Sequence, residues 1–220
     1  MKDISTHLTM LIVSLLSVVL TGQLSAAEFD IEGRYDRIKP ARVLEKTDKV
    51  EVVDVFWYGC GHCYDFMPLL QQWEARRPEY VDFKRLPAIF SDSWAVHARA
   101  YYTAEVLGLG DDLHEPMFKA IHEHGRSLNT KQEMMGFFAE HGVSNEDFSK
   151  AYDSFTVDAM ARQSQNMPRR WGVRGTPSVI VNGRYIISGR GAGSHENMIN
   201  VLDVLVEREH KAMLERQQGN

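Results

Sequence analysis

The chain has 220 residues, only two cysteines and a formal net charge of −5. That balance supplies no basic field for nucleic acid, so a nucleic-acid-binding role is excluded. No internal repeat, low-complexity tract or second long apolar span occurs, which excludes repeat arrays and multi-span membrane proteins.

Residues 1–27 read as a secretory signal peptide. The apolar run over residues 10–20 is shorter than a membrane span. It leads to Leu24-Ser25-Ala26-Ala27, small residues that suit a signal peptidase, with cleavage expected after Ala27. The mature chain, residues 28–220, is long enough for one domain with its own core. Export places it in an oxidising compartment, where disulfides persist.

Residues 28–48 form a polar lead-in, with a short extended piece at 35–38 closed by Pro40. Residues 50–58 carry valines and aromatics almost continuously, as in a central strand buried on both faces. Cys60-Gly61-His62-Cys63 follows at the junction with a helix. A bridge of this spacing closes too short a loop to restrict the unfolded chain, so a structural staple explains it poorly. A redox pair explains it better.

From residue 60 to 77 the pattern is helical, with Phe66, Leu69, Leu70 and Trp73 three and four apart. Pro68 lies inside and is expected to kink the axis. Residues 80–86 alternate as a second strand, parallel to the first because a helix joins them. Residues 92–166 are helical throughout, too long for a connection. Helices are expected over 94–107 and 115–124, then from Thr130 with Glu133 completing a capping box, from a cap at Asn145, and from Thr156 toward Trp171. Residues 176–181 resume the sheet. Asn182-Gly183 predicts a type I′ turn into an antiparallel strand at 184–187. A glycine-rich stretch at 189–193 leads to a last helix from Ser194, whose charged tail after Glu207 is expected to fray.

Two stretches carry a resemblance. Phe56-Trp57-Tyr58-Gly59-Cys60-Gly61-His62-Cys63-Tyr64-Asp65-Phe66 and Arg174-Gly175-Thr176-Pro177-Ser178-Val179-Ile180-Val181-Asn182-Gly183-Arg184-Tyr185 together resemble the DsbA family of bacterial periplasmic thiol–disulfide oxidoreductases. The resemblance implies an α/β protein, a thioredoxin fold with an inserted all-helical domain. Residues 28–91 and 167–220 would form the thioredoxin-like part and 92–166 the insertion. It also implies disulfide donation to newly exported proteins, a periplasmic location and reoxidation by a DsbB-like, quinone-linked membrane partner. Thr176-Pro177 resembles the family's cis-proline loop, which presents backbone groups to an extended substrate beside the disulfide. Two positions depart from the pattern. Gly61-His62 replaces the Pro-His of the best-known members, and Met67 stands where some relatives carry an acid.

Cys60, at the helix N-terminus, is expected to be the attacking thiolate, because unpaired N–H groups and the helix dipole favour a negative sulfur there. His62 is expected to add to this. Cys63, one turn deeper, is expected to be buried and to resolve the mixed disulfide. Asp54 is a carboxylate in an apolar strand, expected beneath the cysteines with a raised pKa, shuttling the proton of Cys63; the competing reading pairs it structurally with Lys84. Gly61, Thr176, Pro177 and Tyr58 complete the expected substrate-contacting set, with Tyr58 either a contact or a wall. The seven other histidines of the mature chain read as solvated or capping residues, and Trp94, Tyr101 and Tyr102 as core.

A zinc site would need four ligands, and one Cys-x-x-Cys pair does not supply them. A c-type haem needs histidine where Tyr64 stands. No bound cofactor is required, since the electrons rest on the cysteine pair. An isomerase or reductase of the same fold, and a non-catalytic chaperone or binding module, remain the alternatives. The lead-in is too short for a dimerisation domain, which favours a monomer.

Overall fold

The computed structural model describes residues 29–40 and 48–218; the expected signal peptide lies outside the described residues. Chain order among them is β1 (Asp36–Arg37), β2 (Val50–Phe56), α1 (Gly61–Arg76), β3 (Val81–Pro87), α2 (Asp92–Val106), α3 (Gly110–His122), α4 (Lys131–Glu140), α5 (Asn145–Tyr152), α6 (Phe155–Trp171), β4 (Ser178–Val181), β5 (Tyr185–Ser188), α7 (Gly189–Ala192) and α8 (His195–Gln218).

β2 organises the sheet, whose strand order is β1-β5-β4-β2-β3. It pairs parallel with β3 and antiparallel with β4. Side chains alternate along a strand, and β2 is apolar on both faces. Val50 and Val52 join the core formed by α1 and α8, with Phe66, Trp73, Val201, Leu202 and Leu205. Val53 and Val55 face the other way, toward Leu86, Ile180 and Trp171. The same alternation puts Asp54 and Phe56 on the α1 face, directly under the helix that carries the cysteines. The hairpin forms as its sequence predicts: Asn182 and Gly183 have φ of 51° and 60°, the left-handed pair a type I′ turn needs.

Helices α2 to α6 all lie between β3 and β4, and their own core includes Tyr101, Tyr102, Phe118, Phe137, Phe138 and Phe148. This core reaches the cysteine pair, because Phe56, Tyr58 and Cys63 belong to it. The architecture is a thioredoxin fold interrupted by a helical insertion.

Several sequence expectations shift. α3 begins at Gly110, five residues before Glu115, since Gly108 alone takes the left-handed conformation that ends α2. Ser144, not Asn145, caps α5, its side chain accepting the N–H of Asp147. A short helix, α7, occupies the glycine-rich stretch. α8 does not fray after Glu207. It continues to Gln218 because Glu209 and Met213 are buried against the fold.

Candidate active site

The site is built where β2 turns into α1. Cys60 is the N-cap of α1, with extended φ and ψ of −92° and 113° and no side-chain cap. Its carbonyl accepts from the N–H groups of Cys63 and Tyr64 at 3.0 and 3.1 Å, and its own N–H donates to the Trp57 carbonyl at 3.0 Å. Both cysteines are thiols; Cys60 is half-buried and Cys63 buried.

The two sulfurs are driven apart electrostatically. Hydrogen bonding from the Cys63 thiol holds Cys60 far below an ordinary thiol, at about 5, against the opposing effect of its partial burial. The Thr176 side chain and the backbone N–H groups of Cys63 and His62 add to this. The Thr176 carbonyl works the other way, accepting from the Cys60 thiol at 3.4 Å and favouring the protonated sulfur; the several donors outweigh one long bond. Cys63 is pushed well above an ordinary thiol, first by burial, then by its bond to Cys60, the Cys60 charge and Asp54. A low-pKa, half-buried thiolate beside a high-pKa, fully buried thiol is the polarity that disulfide exchange needs.

His62 lies beside this pair as expected, but its contribution comes through its backbone N–H. The exposed ring makes no hydrogen bond to Cys60 among the described residues and sits 6.1 Å, centroid to centroid, from that of His195. Asp54 is 5 % exposed, one carboxylate oxygen has no hydrogen-bond partner, and burial raises its pKa to about 7. Its cross-strand neighbour is Arg85, which lowers that value only partly. Arg85 bonds Glu74 and Asp111 instead. The alternative pairing of Asp54 with Lys84 is corrected: Lys84 bonds Glu51 and Asp82 and stands opposite Val53. Asp54, Cys63, Arg85, His114 and Pro177 line one small cavity of about 10 Å3, room for the centre of roughly one water molecule.

The Thr176–Pro177 bond is cis, and Thr176 stands against Cys60. Gly61 is exposed, and nothing lies within 4 Å of where a Cβ would sit. Tyr58 is corrected: at 1 % exposure it is a wall, not a substrate contact, with its hydroxyl 3.0 Å from His114 Nδ1. His97 and His114, read as solvated, are buried at 2 and 5 % exposure, and burial drives the pKa of His114 down to about 3. The missed signal was spacing: His114, Phe118 and His122 recur every four residues, one face of α3. His122 donates from Nε2 to the Tyr58 carbonyl at 2.8 Å.

A thioredoxin-type sheet with a Cys-x-x-Cys pair capping its first long helix, and a cis Thr176–Pro177 bond whose Thr176 stands against the outer sulfur, defines a thiol–disulfide oxidoreductase. Comparison with known proteins agrees. The model of the DsbA-like thioredoxin domain family matches residues 70–202. The thiol:disulfide interchange protein DsbA of Azotobacter vinelandii is 37 % identical over 86 % of this chain and 88 % of its own. That of Pseudomonas aeruginosa is 37 % identical over 77 % and 80 %. The crystal structure of P. aeruginosa DsbA superposes with a TM-score of 0.77 at 35 % identity, over 82 % of this chain and 94 % of that one. Xylella fastidiosa DsbA gives 0.75 at 35 %, over 81 % and 96 %. The chain belongs to the DsbA family.

Proposed function

We propose that this oxidoreductase works as an oxidant, donating a Cys60–Cys63 disulfide to proteins exported to the periplasm. The observation that supports it is the polarity of the pair, with Cys60 at about 5 and Cys63 well above an ordinary thiol. Stabilising the Cys60 thiolate stabilises the reduced protein relative to the disulfide and makes the disulfide the stronger oxidant.

In this reading a substrate thiolate, aligned along the Thr176-Pro177 segment and the exposed Gly61 backbone, attacks Cys60 Sγ. The S–S bond breaks, Cys63 leaves as a thiolate, and Asp54 supplies its proton. A second substrate thiolate then attacks the substrate sulfur of the mixed disulfide. Cys60 leaves as a stable thiolate; two electrons have moved to the cysteine pair and the substrate holds the disulfide. No bound cofactor enters. Restoring the Cys60–Cys63 bond then requires an external oxidant, for which a DsbB-like, quinone-linked membrane protein is the proposed partner, with the protein acting as a monomer. Among the described residues no helix is long and apolar enough to cross a membrane, and no group of three or more His, Cys, Asp or Glu could hold a metal.

Equilibration of the purified protein with glutathione buffers tests the direction. The expected potential lies nearer the reference of about −120 mV for DsbA than the about −270 mV of thioredoxin. With Cys60 ionised above pH 5, reduction takes up two electrons and one proton, so the potential changes by roughly 30 mV per pH unit between pH 6 and 8. A thioredoxin-like potential sinks the oxidant reading. Cys63→Ser is expected to trap substrates covalently on Cys60, and Cys60→Ser to trap none; the reverse pattern overturns the assignment of roles.

A further inference from the structure

The turn before Cys60 contains a weakness. Gly59 is the residue between the buried Tyr58 and Cys60. A Cβ there would lie 2.3 Å from the Trp57 ring, which is itself stacked on Trp94 at 4.1 Å, so only glycine fits. Glycine restrains the backbone least of all residues. Yet the position of Cys60 at the N-cap depends on that backbone, because the N–H groups that stabilise its thiolate are fixed in α1.

The restraint comes from the helical insertion. Tyr58 is held at both ends by α3. Its hydroxyl meets His114 Nδ1 at 3.0 Å, its ring packs edge-on to Phe118 at 4.9 Å, and its carbonyl accepts from His122 Nε2 at 2.8 Å. A carbonyl can only accept, so His122 Nε2 carries the hydrogen. The His122 ring is in turn fixed from the other side. Tyr64, from the first turn of α1, stacks on it at 5.0 Å with an interplanar angle of 14°, and the Tyr64 hydroxyl bonds Glu123. His122 therefore sits between the Tyr58–Gly59 peptide and the helix whose N-terminus holds the thiolate.

From this arrangement we infer that His122 is a positioning residue for Cys60. It fixes the Tyr58–Gly59 peptide, and through it the place of Cys60 Sγ relative to the N–H groups of His62 and Cys63. Without this donor the Tyr58 carbonyl loses its partner, and a buried carbonyl left unpaired is costly enough to make the peptide turn in search of another. Gly59 offers no resistance to that rotation. The sulfur then drifts from its donors and becomes a weaker acid. The inference rests on Cys60 as the ionised sulfur that the substrate attacks in the disulfide and that leaves as a thiolate.

The test titrates the Cys60 thiolate by its ultraviolet absorbance in the reduced protein, alongside thermal stability and the glutathione potential. His122→Met keeps the length and removes the donor. His122→Gln places an amide N–H at the reach of Nε2. The Met variant is expected to raise the titration midpoint by about one pH unit, a tenfold weaker acid, and to make the disulfide less oxidising. The Gln variant is expected to restore the wild-type midpoint. A Met variant that melts earlier with its midpoint unmoved gives His122 a structural role only and overturns the inference. So does a Gln variant that behaves like Met. If His122→Met does not fold, His122→Asn, whose amide falls short of the carbonyl, provides the same comparison with Gln. Wild-type protein that shows no low-pH thiolate titration defeats the ionised-Cys60 reading itself, a result distinct from either of these.

Discussion

Asp54 shows how one residue can be expensive to keep. Its ordinary value near 3.8 is raised to about 7 because burial penalises the charge and Arg85 is committed elsewhere. The folded state therefore holds a proton between roughly pH 4 and 7 that the unfolded state has lost. Stability falls with rising pH across that window, and the penalty is complete above pH 7. It amounts to about 4 kcal/mol. Asp54→Asn removes the ionisation. The variant is expected to be more stable than the parent at pH 8, with the gap closing toward pH 4, as read by urea denaturation at the two pH values. An equal gain at both would mean that Asp54 titrates alike in the folded and unfolded states, so that burial does not raise its pKa. Asp54 and the cysteines were legible in the sequence, since a carboxylate among valines and a close thiol pair are local anomalies. The histidines packed at the site were not. A histidine in a helix looks solvated until the neighbour that accepts its hydrogen is known, and the partner of His122 is 64 positions away.

At the scale of elements, the strands and the order of the helices follow from periodicity and turn chemistry, while helix ends follow from which side chain reaches which N–H. Thr130 and Glu133 form the capping box their spacing predicts. At α5 two neighbouring residues could each cap. Ser144 wins because its extended backbone, with φ −65° and ψ 149°, turns Oγ onto the N–H of Asp147, and Asn145 becomes the first helical residue. Ser144→Ala is expected to lower stability by about 1 kcal/mol, and Asn145→Ala to change it by no more than a few tenths. Thermal denaturation of the two variants decides between the caps. The reverse ranking would restore Asn145. The start of α3 escaped the sequence for a related reason: Gly110 looks like a stop, yet only Gly108 adopts the backbone that ends a helix.

Across the whole molecule, the far end of the sheet is locked by groups that no local pattern announces. Asn182, in the hairpin turn, exchanges two hydrogen bonds with Glu51 of β2, its Oδ1 accepting the Glu51 N–H and its own N–H donating to the Glu51 carbonyl, both at 2.8 Å. Its amide nitrogen donates to Glu209 at 2.9 Å, and Arg184 reaches the same carboxylate at 3.3 Å. Glu209, at 2 % exposure, therefore joins α8 to the turn and through it to the start of β2. This is why the charged tail stays helical where composition alone predicts fraying. Glu209→Ala leaves the Asn182 amide and part of the Arg184 charge without a partner, and is expected to cost about 1–3 kcal/mol of stability. The cysteines lie past the opposite end of β2, a strand's length of about 20 Å away, and none of the groups that set the Cys60 thiolate touches Glu209. The glutathione potential of the variant is therefore expected to match that of the parent even as its denaturation midpoint drops. A potential that moved with Glu209 would mean that the two ends of β2 are mechanically coupled, and that the sheet helps to place the Cys60 sulfur.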